Sequence, residues 1–204
     1  MEQGTEEWFA ARAGKVTASR IADLMARTKS GYSASRDNYM AQLIVEKFTG
    51  KVAESFNSAA MQWGSDQETF ARAAYEARKN VLVDEIGFVP HPTIEGVGAS
   101  PDGLVGNDGL VEIKCPNTAT MIDTLINETV PHKYFAQMQM QMSCTQRKWC
   151  DYAVFDPRMP ENGQLFIKRV ERDEKFVEDM ESEIIKFLDE MNAKFKTLQA
   201  KLGE

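Results

Sequence analysis

Two carboxylates and one ammonium stand close together near the middle of the sequence: Asp102, preceded by Pro101, and then Glu112 and Lys114, which flank Ile113. The intervening residues read as a short apolar strand, a Gly/Asn/Asp turn and a second short apolar strand, that is, a β-hairpin. In the second strand Glu112 and Lys114 leave one face, while Val111, Ile113 and Cys115 leave the other. Register decides whether the carboxylates can meet. A two-residue Asn107-Asp108 turn would set Asp102 opposite Ile113 and send the two acids to opposite faces. A three-residue loop, Gly106 to Asp108 with a glycine bulge, sets Asp102 opposite Glu112, at roughly 4.5–5.5 Å between Cβ atoms. The spacing therefore predicts an odd-length loop, or an Asp102 held in the Ser-Pro-Asp-Gly turn just ahead of the strand.

Two ionised carboxylates at that separation raise each other's pKa unless a cation lies between them, and hard oxygen ligands suit Mg²⁺, with Mn²⁺ as a substitute. A divalent ion there lowers the pKa of a water and neutralises charge on a phosphoryl oxygen. Lys114, aimed at the same point, can orient the attacking water or stabilise the pentacovalent phosphate. The chemistry that needs this set is phosphodiester hydrolysis. The plainer alternative is a surface hairpin in which Asp102 is a turn residue and Glu112 and Lys114 form a solvated pair.

The elements that position these groups have to come from 204 residues, of which 43% are hydrophobic, enough for one domain with a full core. No apolar run approaches membrane-spanning length, and the charged opening from Met1 to Glu7 is no signal peptide, so a cytoplasmic protein is expected. Cys115, Cys144 and Cys150 are odd in number and lack Cys-x-x-Cys spacing, and there are only two histidines. This pattern fits packed or semi-buried thiols in a reducing compartment and argues against structural zinc. No Gly-x(4)-Gly-Lys-Ser/Thr loop is present, so no ATP-driven motor is expected. The net charge of −7 is unusual for a protein that handles nucleic acid, but its distribution is uneven. Arg12, Lys15, Arg20, Arg27, Lys29 and Arg36 stand against the single acid Asp23, whereas the segment beyond residue 170 is rich in Glu and Asp. Such asymmetry permits one basic groove on an acidic body, although Arg20 and Arg36 also suit a solvated helix face.

Hydroxyl caps and apolar spacing predict helices over 17–25, 35–48 and 58–79, the last carrying Glu68 among Phe70, Ala71 and Ala74. Strands are predicted over 81–89, 94–99, 104–105 and 110–114, helices near 119–128 and 132–144, and strands over 149–155 and 165–171. A long amphipathic helix over 173–202 closes the chain. The division is a helical N-terminal third (1–80), a catalytic sheet with helices (81–171) and the C-terminal helix. Together they give a single α/β domain, a central mixed sheet flanked by helices. Met138, Met140 and Met142 read as packing residues.

Several further motifs lie in order along the chain: Glu-Gln-Gly-x(3)-Trp from Glu2, Arg-x-Gly-x-x-Thr-Ala-Ser from Arg12, Trp-Gly-x(3)-Glu from Trp63, Ser-Pro-Asp-Gly-Leu from Ser100, Glu-Ile-Lys-Cys-Pro from Glu112, Ala-Gln-x-Gln from Ala136 and Asp-Pro-Arg-Met from Asp156. The set resembles the phage lambda exonuclease, or YqaJ-type viral recombinase, family. The resemblance covers nearly the whole chain. It implies the restriction-endonuclease-like fold and a Mg²⁺-dependent exonuclease that digests one strand of linear double-stranded DNA from 5′ to 3′, leaving 3′ overhangs. It also implies a toroidal homotrimer, a single-strand annealing protein as partner, and a phage or prophage origin in a bacterial host.

By the same resemblance Asp102, Glu112 and the main-chain carbonyl of Ile113 hold metal, Glu68 stands near a second metal, Lys114 is the catalytic lysine and Gln137 helps position the nucleophile. Arg12, Ser19 and Ser100 fall where the family grips a 5′-phosphate, a task for which one guanidinium and two hydroxyls are suited. Thr17 and Lys29 join them as DNA contacts, with Lys29 where an arginine is expected. Ser19 also reads as a helix N-cap. The chain opens almost at the Glu-Gln-Gly segment, so an arm preceding it, and the trimer contacts of such an arm, are expected to be absent. Two other activities fit the same residues: an endonuclease or repair nuclease, which would also cut closed circles, and a silent DNA-end-binding module, which would have lost one of Asp102, Glu112 and Lys114.

Overall fold

The computed structural model describes residues 1–52 and 58–203. In chain order the elements are α1 (Glu6–Arg12), β1 (Val16–Thr17), a 3-10 turn (Ala18–Arg20), α2 (Ile21–Met25), β2 (Arg27–Thr28), β3 (Gly31–Tyr32), α3 (Ala34–Thr49) and α4 (Ala59–Lys79). Then come β4 (Val83–Asp84), β5 (Val89–Pro90), β6 (Val97–Ala99), β7 (Gly103–Val105), β8 (Gly109–Lys114), α5 (Thr118–Asn127) and α6 (His132–Thr145). Strands β9 (Trp149–Phe155) and β10 (Leu165–Glu171) and helix α7 (Glu174–Leu202) complete the chain.

The main sheet runs β10-β9-β8-β7-β4, with β8 and β9 parallel and the other neighbours antiparallel. Its central strand β8 is buried on both faces, because its side chains alternate between two apolar layers. Val111 and Ile113 meet Ala71 and Tyr75 of α4 in one layer. Leu110 meets Met121 of α5 and Met138 and Met142 of α6 in the other. A third cluster packs α2, α3, α6 and α7 together through Leu24, Tyr39, Leu43, Met140, Ile184 and Phe187. The mixed sheet between helices, the helices over 35–48 and 58–79 and the strands over 149–155 and 165–171 follow the sequence reading closely. The three methionines of α6 are fully buried.

Other expectations are corrected. The stretch 17–25 is not one helix: Thr17 ends β1, Ser19 lies inside the 3-10 turn, and the N-cap of α2 is Arg20. Ser19 is therefore no N-cap. The expected strand over 81–89 divides into β4, which pairs with β7 in the main sheet, and β5, which pairs with β6 in a separate three-stranded sheet β1-β6-β5. The first third is not purely helical, since it supplies β1 and the β2–β3 hairpin. Arg36 is no solvated residue: its side chain is 2% exposed, donates to both oxygens of Glu190 at 2.8 and 3.1 Å and lies over the Tyr32 ring. Arg20 pairs with Asp23 and Gln42 instead of standing free.

Candidate active site

The hairpin β7–β8 pairs Gly103 with Val111, Leu104 with Leu110 and Val105 with Gly109. Its loop is thus the three residues 106–108, entered through Gly106 at φ +55°, a conformation that favours glycine. Continued by one residue, this register sets Asp102 opposite Glu112, and by two it sets Pro101 opposite Ile113. Asp102 sits in a bend just before β7, so the odd loop and the turn position hold together. Space at Gly103 is tight: a Cβ there would collide with the Val83 side chain of β4, so the backbone beside Asp102 is held close to the sheet.

Pro101 has a specific effect on Ile113. The N–H and C=O of one strand residue point to the same side, and at Ile113 that side faces the incoming chain. The Asp102 Oδ2 accepts the Ile113 N–H at 2.7 Å. Pro101, lacking an N–H, offers no donor to the Ile113 carbonyl. Its own carbonyl accepts from Gln3 Nε2 at 2.8 Å. The β7–β8 ladder therefore gives the Ile113 carbonyl no donor beside Asp102.

Glu112 is fully buried. Its Oε1 accepts from Gln137 Nε2 at 2.6 Å and lies 2.5 Å from Lys114 Nζ, while Oε2 accepts from Gln141 Nε2 at 2.6 Å. Burial, and next the negative charge of Glu112, push the Asp102 carboxyl up to about 8; Glu68 adds to the shift, and Lys114 and the Ile113 N–H oppose it. Burial alone would lower the Lys114 pKa, but Glu112 and Asp102 outweigh it and hold it above its ordinary value. Lys114 Nζ thus pairs with Glu112 Oε1 and also lies 5.4 Å from the Tyr134 ring centroid.

The donor set suits a hard divalent cation: a buried carboxylate, a second carboxylate whose Oδ1 has no hydrogen-bond partner among the described residues, and a carbonyl freed from the ladder. Among the described residues no group of three or more His, Cys, Asp or Glu side chains forms a metal site. The Glu68 carboxylate accepts from Arg72 Nη2 at 3.4 Å. It lines the cleft of about 720 Å³ that also contains Lys114 and Gln137, and a second cavity that contains Asp102.

Arg12, Thr17 and Ser19 line a neighbouring cavity of about 600 Å³. Ser19 lines both it and the large cleft, so the two are neighbours. Arg12 lies 3.8 Å above the Trp8 ring, and Trp8 Nε1 donates to Ser100 Oγ at 2.9 Å, which links Ser100 to this group. Burial lowers the Arg12 pKa, yet a guanidinium remains a cation at neutral pH. Lys29 stands apart, at the exposed tip of the β2–β3 hairpin, and lines neither cavity.

Two side chains at the site, Gln141 and Arg158, were not singled out from sequence. Gln141 reaches Glu112 because it follows Gln137 by one helical turn, a spacing visible in the sequence. Gln139, by contrast, faces away: it donates to the Glu171 carbonyl and accepts from the Asp173 N–H, joining β10 to α7. Arg158, of the Asp-Pro-Arg-Met motif, is held by the buried Asp156 and by the Pro116 carbonyl and lies 4.1 Å over Trp63 at the rim of the cleft. The cysteines are free thiols, Cys144 and Cys150 buried and Cys115 half-buried.

The fold is an α/β arrangement shared with known exonuclease structures. An alkaline exonuclease from Laribacter hongkongensis is 50% identical, with a TM-score of 0.91 over 98% of each chain, and a second structure of it is a complex with dAMP. A phage-related exonuclease from Haemophilus somnus 129PT, 13% identical, has a TM-score of 0.71 over 88% of this chain and 96% of that one. Residues 7–148 match the YqaJ-like viral recombinase domain, and the chain belongs to that family. It is also 27% identical over 166 residues to an uncharacterized protein of Acanthamoeba polyphaga mimivirus, and spans 28% of that protein's length. Among the described residues no helix is long and apolar enough to cross a membrane.

Proposed function

We propose that this protein is a divalent-cation-dependent exonuclease that enters linear double-stranded DNA at its ends and hydrolyses one strand from 5′ to 3′, leaving 3′ overhangs. The observation that carries the reading is Asp102 held on the Ile113 N–H, next to the buried Glu112 and with Lys114 on the same strand. Asp102, Glu112 and the Ile113 carbonyl would hold Mg²⁺ or Mn²⁺, with Glu68 next to it. Such an ion supplies Lewis acidity at the scissile phosphate.

The remaining work belongs to the chain's own groups. Lys114, paired with Glu112, can offset charge building on the phosphate or orient the attacking water. Gln137 holds Glu112 and stands at the cleft wall, where its amide can orient a water. Arg12, Thr17, Ser19 and Ser100 fit a terminal phosphate, and Ser19, which lines both cavities, sets that grip beside the cleft. A grip on the 5′ end beside the cutting site favours cleavage close to that end. Lys29 would meet the duplex further out, as a point charge.

A homotrimeric ring and a single-strand annealing partner complete the reading, as does a phage or prophage origin. They rest on family membership. Digestion of linear duplex with closed circular duplex left intact is the expected outcome; equal digestion of both would favour an endonuclease.

A further inference from the structure

We propose that Gln141 is a positioning residue that fixes the plane of the Glu112 carboxylate for cation binding. The inference rests on the reading of Asp102 and Glu112 as the cation site.

Both donors on Oε1, Lys114 and Gln137, line the open cleft. Gln141 lies one turn further along α6, is fully buried and does not line that cleft. Its amide is the only donor to Oε2 among the described residues. A carboxylate held through one oxygen can still rotate about the bond that carries it. Held through both oxygens, by two amides from one rigid helix, it has a defined plane. The arrangement carries a penalty, since Gln141 Oε1 is buried without a hydrogen-bond partner. Packing does not require an amide here, because Met138 and Met142 fill adjacent positions of the same buried face. What the amide adds is its N–H on Glu112.

A positioning role and a purely structural role differ in what they move. Gln141→Met conserves volume, removes the donor and also removes the unpartnered acceptor. Gln141→Asn keeps an amide in the core but withdraws it from reach of Glu112. Calorimetric titration of the DNA-free proteins with magnesium chloride is expected to show both variants binding Mg²⁺ about 10- to 100-fold more weakly than the parent. At saturating Mg²⁺, kcat should fall while KM for duplex ends stays within about twofold, because the phosphate grip is untouched. Gln141→Met should melt close to the parent in the absence of Mg²⁺.

Parental Mg²⁺ affinity in both folded variants, alongside loss of affinity in Glu112→Gln, would overturn the inference alone. Parental affinity in Glu112→Gln would remove the cation-site reading itself, and the inference with it. Unfolding of both Gln141 variants before Mg²⁺ is added would make Gln141 structural and equally overturn the proposal.

Discussion

Asp102 Oδ2 accepts the Ile113 N–H at 2.7 Å, and Pro101 beside it carries no N–H that could be offered to the Ile113 carbonyl. The Pro-Asp pair thus acts twice on one residue, the proline sparing its C=O and the aspartate taking its N–H. Pro101→Ala restores a backbone N–H at that position. Calorimetry should show Mg²⁺ affinity reduced about tenfold, in the range seen for altered outer-shell groups, with the fold intact.

Lys114 forms an ion pair with the buried Glu112, so its removal takes away charge stabilisation and leaves the end grip in place. Lys114→Ala should lower the cleavage rate by about 10²- to 10³-fold or more. Fluorescence anisotropy in EDTA should still detect binding to blunt duplex ends. Unchanged cleavage would contradict the assignment of Lys114.

The end grip makes a separate prediction. Arg12→Ala should bring the rate ratio between 5′-phosphorylated and 5′-hydroxyl ends close to one. Trp8→Phe keeps an aromatic face under Arg12 but removes the donor to Ser100, and should reduce that ratio by about fivefold, the effect of one hydrogen bond. Rates on both ends of a singly phosphorylated duplex provide the check.

Stability should depend on pH through Arg36 and Glu190. The hydrogen bonds from Arg36 hold the Glu190 carboxyl below its ordinary value. A depressed folded value contributes stability that is present above the ordinary carboxylate range and is lost as pH falls through the lowered value. Glu190→Gln, which cannot titrate, should therefore melt below the parent at pH 7, with the gap closing as pH falls towards 3. Glu190 is 45% exposed, so solvent screening limits the gap at pH 7 to about 1 kcal/mol, or 2–4 °C. A gap independent of pH would contradict the pairing.

What could be read in the sequence was local. The strands over 149–155 and 165–171 are apolar runs with sharp breakers, and the Asp102–Glu112 relationship follows from counting residues through one loop. The small sheet was not legible, because β1 has two residues and finds β6 some eighty positions away. Val81 to Val89 reads as one strand until tertiary pairing sends its two ends to different sheets. Arg36 looks like a surface residue because Glu190, its partner, lies 154 positions along the chain. At the site, Glu112 and Lys114 stood out by type and spacing, and Gln137 only through the family resemblance. The burial of Glu112, which makes Gln141 matter, became apparent only once β8 was covered on both faces.

The most direct measurement is a time course on linear duplex labelled at one 5′ end, with and without Mg²⁺. With Mg²⁺, labelled mononucleotide should appear first, while the opposite strand of that end persists; EDTA, Asp102→Asn or Glu112→Gln should stop the release. Labelled internal fragments ahead of any mononucleotide, or undiminished release in EDTA, would contradict the account.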